Sequence, residues 1–285
     1  MDLAVAAQPA LARLGLGPLT VAVRSVTPWS EALADLLDGF DAGPPRGAHA
    51  RADLELELGS AERPPDGPRA PSFTSRDGAL VDRCEAWHAA IADGAGPVAA
   101  SFQLYDGRPE AAVRRELVAA ALRATLGLAA PRFGALLVHA SALATASGAL
   151  VFLGPSGEGK STLARRLRGW SLLADDASLI TPELACGTPL RGKEGLPRSG
   201  HPHPLRGLVF LEKGAPRLSF QPMSPAAATH ALLRRVFWYA RSPLHEAQLL
   251  DVVARVCEAV PAWRLASSLE HDVAPTLEAA TRSAA

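Results

Sequence analysis

The stretch Ala149-Leu150-Val151-Phe152-Leu153-Gly154-Pro155-Ser156-Gly157-Glu158-Gly159-Lys160-Ser161 decides how the rest of the chain is read. Its first five residues make an apolar strand. The remainder fits G-x-x-x-x-G-K-[ST], a loop whose backbone N–H groups wrap around nucleotide phosphates. Gly154, Gly157 and Gly159 permit turns and close approach that a Cβ would block, while Pro155, Ser156 and Glu158 complete the span. Lys160 brings a point charge suited to β- and γ-phosphates, and the Ser161 hydroxyl suits the shell of a Mg²⁺ ion. From Thr162 to residue 168 the pattern predicts a helix with Leu163, Ala164 and Leu167 on one face, its positive end toward the bound anion. A chance glycine-rich turn would not need strand, loop and helix in this order.

Downstream, Ser171-Leu172-Leu173-Ala174 reads as a strand that runs into Asp175-Asp176. Ligands of open α/β sheets lie outside the carboxyl ends of the strands, which sets this pair beside the glycine loop. Neighbouring strand side chains point to opposite faces, so the two carboxylates divide the work. One suits Mg²⁺, directly or through water, and the other suits taking a proton from an attacking hydroxyl. Upstream, residues 136–144 and 149–154 read as a hairpin turning at Thr145-Ala146-Ser147-Gly148. A turn centred between Ala146 and Ser147 sets His139 opposite Gly154, at the mouth of the loop. There it serves as a phosphate contact or proton relay, or simply packs as most strand histidines do.

The motifs His139-Ala140-Ser141-Ala142-Leu143, Gly154 to Ser161 and Leu173-Ala174-Asp175-Asp176 together resemble the catalytic domain of HPr kinase/phosphorylase, a relative of phosphoenolpyruvate carboxykinases. More closely, the chain is similar to HPr-kinase-like proteins found beside bacterial peptide-modification genes. Gly187-Thr188-Pro189 and the strand Leu208-Val209-Phe210-Leu211 extend the likeness, which covers roughly residues 130–270. The resemblance implies an α/β fold, a P-loop-containing mixed sheet of that type, with a smaller N-terminal α+β module. It implies ATP and Mg²⁺ as cofactors, His139 on phosphate, Lys160 and Ser161 on nucleotide and metal, Asp175 as acid/base and Asp176 assisting the metal. Thr162 stands where HPr kinases usually carry Glu, and the Asp pair follows the loop sooner. Those departures favour the reaction class over HPr as acceptor. Kinases of that family assemble into rings, which leaves a homo-oligomer open for this chain.

Length and composition agree with an enzyme core. The 285 residues are 48% hydrophobic, enough for one large or two modest domains. Lys plus Arg and Asp plus Glu are 29 each, so no electrostatic case for a nucleic-acid partner arises. Cys84, Cys186 and Cys257 are widely spaced, the pattern of buried thiols in a reducing compartment. No stretch approaches about 18 unbroken apolar residues, and no basic segment precedes an apolar one at the start, so the expectation is a cytoplasmic protein without a membrane partner.

An N-terminal α+β module is expected over residues 1–108 and the catalytic domain over 109–285. In the module, residues 19–24 and 52–58 read as strands and 29–40 as a helix; Trp87 and His88 read as packing rather than a ligand groove. A helix over 110–126 stops at Gly127 and Pro131 and carries Arg114, Arg115 and Arg123 as a solvated stripe. Residues 187–204 have the composition of an exposed mobile loop, where Arg191, Lys193, Arg198, His201 or His203 could close on a transferring phosphoryl group or merely be solvated. Strands over 208–211 and 218–220 are expected to pair, then helices over 224–239 and 243–260, the latter turning Leu244 inward, an edge strand near 263–265 and a terminal helix over 274–280.

The reading with most support is a Mg-ATP-dependent kinase acting on a hydroxyl of a peptide, protein or small metabolite. The alternative is a nucleotide-binding regulatory or scaffold protein without phosphotransfer. An L-S-G-G-Q signature of transporter ATPases is absent.

Overall fold

A computed structural model describes residues 10–43, 52–62, 72–84, 86–92, 97–105, 110–155, 157, 159–167, 169–192, 196, 198–267 and 271–283. The chain opens with a hairpin of β1 (Ala10–Leu16) and β2 (Leu19–Ser25), followed by α1 (Trp29–Leu37) and the two-residue β3 (Phe40–Asp41). The alternating segment forms β4 (Leu54–Ala61), with Leu54, Leu56 and Leu58 buried as its period of two requires. A meander of β5 (Phe73–Arg76), β6 (Ala79–Arg83), β7 (Trp87–Ala92) and β8 (Val98–Tyr105) completes the front segment. These strands lie in the order β1-β2-β4-β8-β7-β6-β5, with β2, β4 and β8 parallel. Trp87 is buried and donates its Nε1–H to Asp82, so it belongs to the core.

Next, α2 (Ala111–Ala129) packs its buried face with α1 and the front sheet. It runs past Gly127, where a Cβ would stand 3.1 Å from the Tyr239 ring. That glycine therefore serves close packing instead of ending the helix. A 3₁₀ turn at Ala130–Phe133 leads to β9 (Leu136–Thr145), β10 (Gly148–Leu153), α3 (Lys160–Arg166), β11 (Ser171–Ala174), β12 (Ala177–Ile180) and β13 (Leu184–Gly187). After β14 (Arg198–Ser199) come β15 (His203–Lys213), β16 (Ser219–Pro222), α4 (Pro225–Leu233), β17 (Ala240–Arg241), α5 (Pro243–Ala259), β18 (Ala262–Ser267) and α6 (Ala274–Ser283).

The second sheet has the order β10-β9-β12-β13-β15-β18-β16. Because β10 also pairs in parallel with β15, strands β9, β12, β13, β15 and β10 close a ring of pairings. Helices cover both faces. Ala149, Val151 and Leu153 of β10 meet α4 and α5 through Leu232, Leu249 and Val256, whereas Leu150 and Phe152 share a core with Leu277 of α6. The chain is thus a mixed α/β protein, and among the described residues no helix is long and apolar enough to cross a membrane.

Several expectations need correction. Strand β18 pairs with β15 on one side and β16 on the other, so the expected hairpin of residues 208–211 with 218–220 does not form and β16 is the edge. Parallel pairing with β15 buries Leu265 fully, which a hairpin would have left at the rim. Helix α4 stops at Leu233, well before 239, because the chain leaves it to bridge β9: Val236 opposes Val138 and Phe237 N–H donates to the Leu137 carbonyl. Leu244 is exposed; the buried face of α5 is built from His245, Leu249, Val252, Val253 and Val256.

The front segment and the rest of the chain are joined at three places. Strand β17 adds to the edge of β5, and β14 adds to β3. Between these seams, Leu137, Leu179, Cys186 and Leu190 share one core with the front sheet and α2. Cys84, Cys186 and Cys257 are free and buried, and burial pushes the Cys186 thiol up to about 12.

Candidate functional site

The site grows out of one local arrangement. Strand β9 is flanked by β10 and β11, both antiparallel to it and so parallel to each other. Leu153 lies opposite Ala140 and Ala174 opposite Ala142, so the chain leaves β10 and β11 at the same end. The hairpin takes the expected register, with Thr145 opposite Gly148. The glycine loop and the Asp pair therefore emerge on either side of the segment His139-Ala140-Ser141, which Ala140 N–H and Ser141 Oγ–H tie to the carbonyls of Asp176 and Asp175.

In the loop, Gly157 and Gly159 have φ of 88° and 89°, left-handed values that an L side chain strains to adopt. Open space surrounds both, so conformation and not crowding selects glycine here. Ser156 and Glu158 lie outside the described residues. With Gly159 turned this way the helix begins at Lys160 and ends at Arg166, two residues ahead of the expected 162–168 at each end. Lys160 is 7% exposed, and its Nζ donates to the carbonyls of Gly154 (2.8 Å) and Pro155 (3.1 Å). Ser161 and Thr162 follow on the first turn, each partly exposed.

The two aspartates occupy the bend between β11 and β12, and their side chains diverge. Asp175 is 4% exposed; its Oδ1 accepts from Gly192 N–H at 3.1 Å, and its Oδ2 is buried without a hydrogen-bond partner. Burial chiefly, with the neighbouring Asp176 charge, raises its pKa despite the Gly192 hydrogen bond. Asp176 faces His139 Nδ1 at 3.4 Å and Arg123 Nη2 at 3.7 Å. Burial works against its ionised form, but His139 first, then the charges of Arg123 and Lys160, outweigh it and hold the pKa below the usual carboxylate value. Loop lysine, His139 and Asp176 therefore belong to one electrostatic unit.

Arg123 does not belong to the solvated stripe that helical spacing predicts. The stripe splits: Arg115 pairs with Asp35 at 3.3 Å, whereas Arg123 turns to Asp176. Helical periodicity cannot tell a wet face from one that points into a site, so no sequence signal singled it out.

A second correction concerns residues 187–204. Thr188, Leu190 and Arg198 are buried, and the described residues of this segment form a strap between the Asp pair and α1. Gly192 seats one part on Asp175. From the strap, Arg191 donates to the carbonyls of Asp35 and Asp38, and Arg198 to those of Leu36, Asp38 and Pro189. His201 Nε2 lies 3.3 Å from Asp41 Oδ1. These groups fasten the front segment, while Lys193 lies outside the described residues.

Beside the loop opens a cleft of about 530 Å³, lined by Gly157, Thr162, Leu163, Leu211, Pro216 and Val273, with Arg166, Lys213 and His271 at polar positions. Apolar walls with a few polar groups, in this volume range, are what small-molecule sites have. Among the described residues no three His, Cys, Asp or Glu side chains form a metal cluster. Mg²⁺ is usually held by one or two carboxylates together with phosphates and water, and Ser161 and Asp176 are side chains whose chemistry could hold it. Compared with known proteins, the chain matches no family model and no curated protein sequence.

Proposed function

We propose that this protein is a Mg²⁺-dependent kinase that uses ATP to phosphorylate a hydroxyl, on Ser or Thr of a peptide or protein or on a small metabolite. The observation that carries the reading is the meeting of Lys160, His139 and Asp176 beside β9 where β10 and β11 end, with Asp175 the neighbouring residue in the chain. Phosphoryl transfer needs chiefly alignment and charge neutralisation. Loop amides and Lys160 would hold the phosphate tail, and the adjoining cleft would take the nucleoside. Mg²⁺, held by Ser161 and Asp176, would neutralise charge on the β- and γ-phosphates. The acceptor oxygen bonds to the γ-phosphorus as the bond to the β–γ bridging oxygen breaks; ADP keeps that electron pair, and the hydroxyl proton passes to Asp175. A buried carboxylate with a raised pKa suits that task. The likeness to HPr-kinase-like proteins supports the same reaction class.

One observation favours a second reading, a nucleotide-binding regulatory or scaffold protein. Gly192 covers Asp175, and the strap that carries it is bonded to the front segment, so Oδ2 is closed to an acceptor in this conformation. Calorimetry with Mg-ATP, and labelled ATP incubated with cell extract, separate the two. The kinase reading expects saturable heat, a labelled acceptor, and an Asp175→Asn variant that keeps its ATP affinity while turnover falls about 10²–10⁴-fold. Binding without any labelled acceptor supports the second reading, and absence of heat removes both.

A further inference from the structure

Arg123 is held in an unusual way for a structural ion pair. Its guanidinium carbon sits 5.7 Å from the centre of the Phe237 ring, and its Nε is buried without a hydrogen-bond partner. Phe237 stacks on Tyr239 (6.3 Å, 5°) and meets the His139 ring edge-on (6.1 Å, 79°). Backbone bonds fix both aromatics: Phe237 N–H donates to the Leu137 carbonyl, and the Tyr239 carbonyl accepts from Phe73 N–H. The aromatic pair thereby offers the guanidinium a fixed wall. Yet its approach to Asp176, 3.7 Å, is well outside the roughly 2.7–2.9 Å of a closed charge-assisted hydrogen bond. His139 Nδ1 stands off the same carboxylate at 3.4 Å. Arg123 thus faces Asp176 Oδ2 without closing on it, while His139 stands at the other oxygen.

Resting on the nucleotide reading proposed above, we infer that Arg123 recognises the terminal phosphoryl group of the bound triphosphate. On that reading the phosphate tail runs from the loop lysine toward the Asp pair, and Arg123 stands on the Asp176 side of it. The phosphate nearest the Asp pair is then the γ-phosphate, and a planar guanidinium fits two of its oxygens. Lys160, bonded to its own loop, serves the cradle side. Arg123 accordingly discriminates ATP from ADP.

The test is calorimetric titration of the wild-type protein and the Arg123→Gln and Arg123→Lys variants with Mg-ATP and with Mg-ADP, alongside thermal melts. Arg123→Gln is expected to weaken ATP about 10–100-fold, the value of a charged hydrogen bond, and ADP less than about twofold. Arg123→Lys should lie between, since it keeps the charge and loses the fork. An unchanged ATP-to-ADP affinity ratio in Arg123→Gln overturns the assignment, as does equal weakening of both nucleotides with a lowered melting point. Wild-type protein that binds neither nucleotide overturns the nucleotide reading itself.

Discussion

Replacing Arg198 with alanine probes what ties the front segment to the strands that carry the glycine loop and the Asp pair. The side chain is 4% exposed and its guanidinium donates to three carbonyls, of Leu36, Asp38 and Pro189. Leu36 and Asp38 stand at the C-terminal end of α1, where helix carbonyls lack partners of their own. Alanine would leave the buried carbonyls of Leu36 and Pro189 without this donor, at about 1–3 kcal/mol each, while the Asp38 carbonyl keeps its bond from Arg191. Part of that sum is returned, because burial already disfavours the charged arginine and pushes its pKa down, with Arg191 adding to the effect. A net loss of roughly 2–4 kcal/mol is expected from the two buried acceptors. For a chain of this size that is about 10 °C in Tm. Differential scanning calorimetry gives the shift, and limited proteolysis should cut near α1 sooner. An Arg198→Ala protein melting within a degree or two of wild type would refute the argument that this guanidinium fastens α1.

Two further outcomes follow from the same geometry. Gly187→Ala places a Cβ on the Leu173 carbonyl and 2.6 Å from that of Ser199, so stability should fall by at least about 1–3 kcal/mol; a denaturant midpoint equal to wild type would contradict it. The aspartates should give opposite pH signatures. Asp175, with its pKa raised, contributes stability that is fully present below the ordinary value of 3.8 and is lost as pH rises through the folded value. Asp176, with its pKa lowered, contributes stability present above 3.8 and lost as pH falls through its folded value. On acidification the stability of wild type relative to Asp175→Asn should therefore rise above pH 3.8, and that relative to Asp176→Asn should fall below it. Denaturant midpoints measured over acidic to neutral pH decide this, and curves of the same sign would be against it.

Much of the site's local form was readable from the chain alone. The turn Thr145-Ala146-Ser147-Gly148 was enough to set the register of β9 and β10. The glycine spacing announced left-handed turns at Gly157 and Gly159, and adjacency announced that Asp175 and Asp176 would part. The leucine–glutamate alternation of β4 declared its buried face. The first strand, β1, escaped notice because only Leu14 and Leu16 mark its core side while Leu11 is exposed. Composition misled at 187–204, since proline and glycine report an irregular backbone and say nothing of what covers it.

What the sequence by itself determined, then, is the chemistry carried at each strand end: the cradle with its lysine, the paired acids and the histidine opposite the loop. Backbone preferences and strand alternation act over a few residues, so they are written where they act. Tertiary structure alone decided that Arg123 faces Asp176, that β18 separates β15 from β16, and that Arg198 grips a helix end 162 positions away in the chain. Those choices depend on which buried surfaces and unpaired carbonyls meet in space, and no pattern along the chain records that meeting.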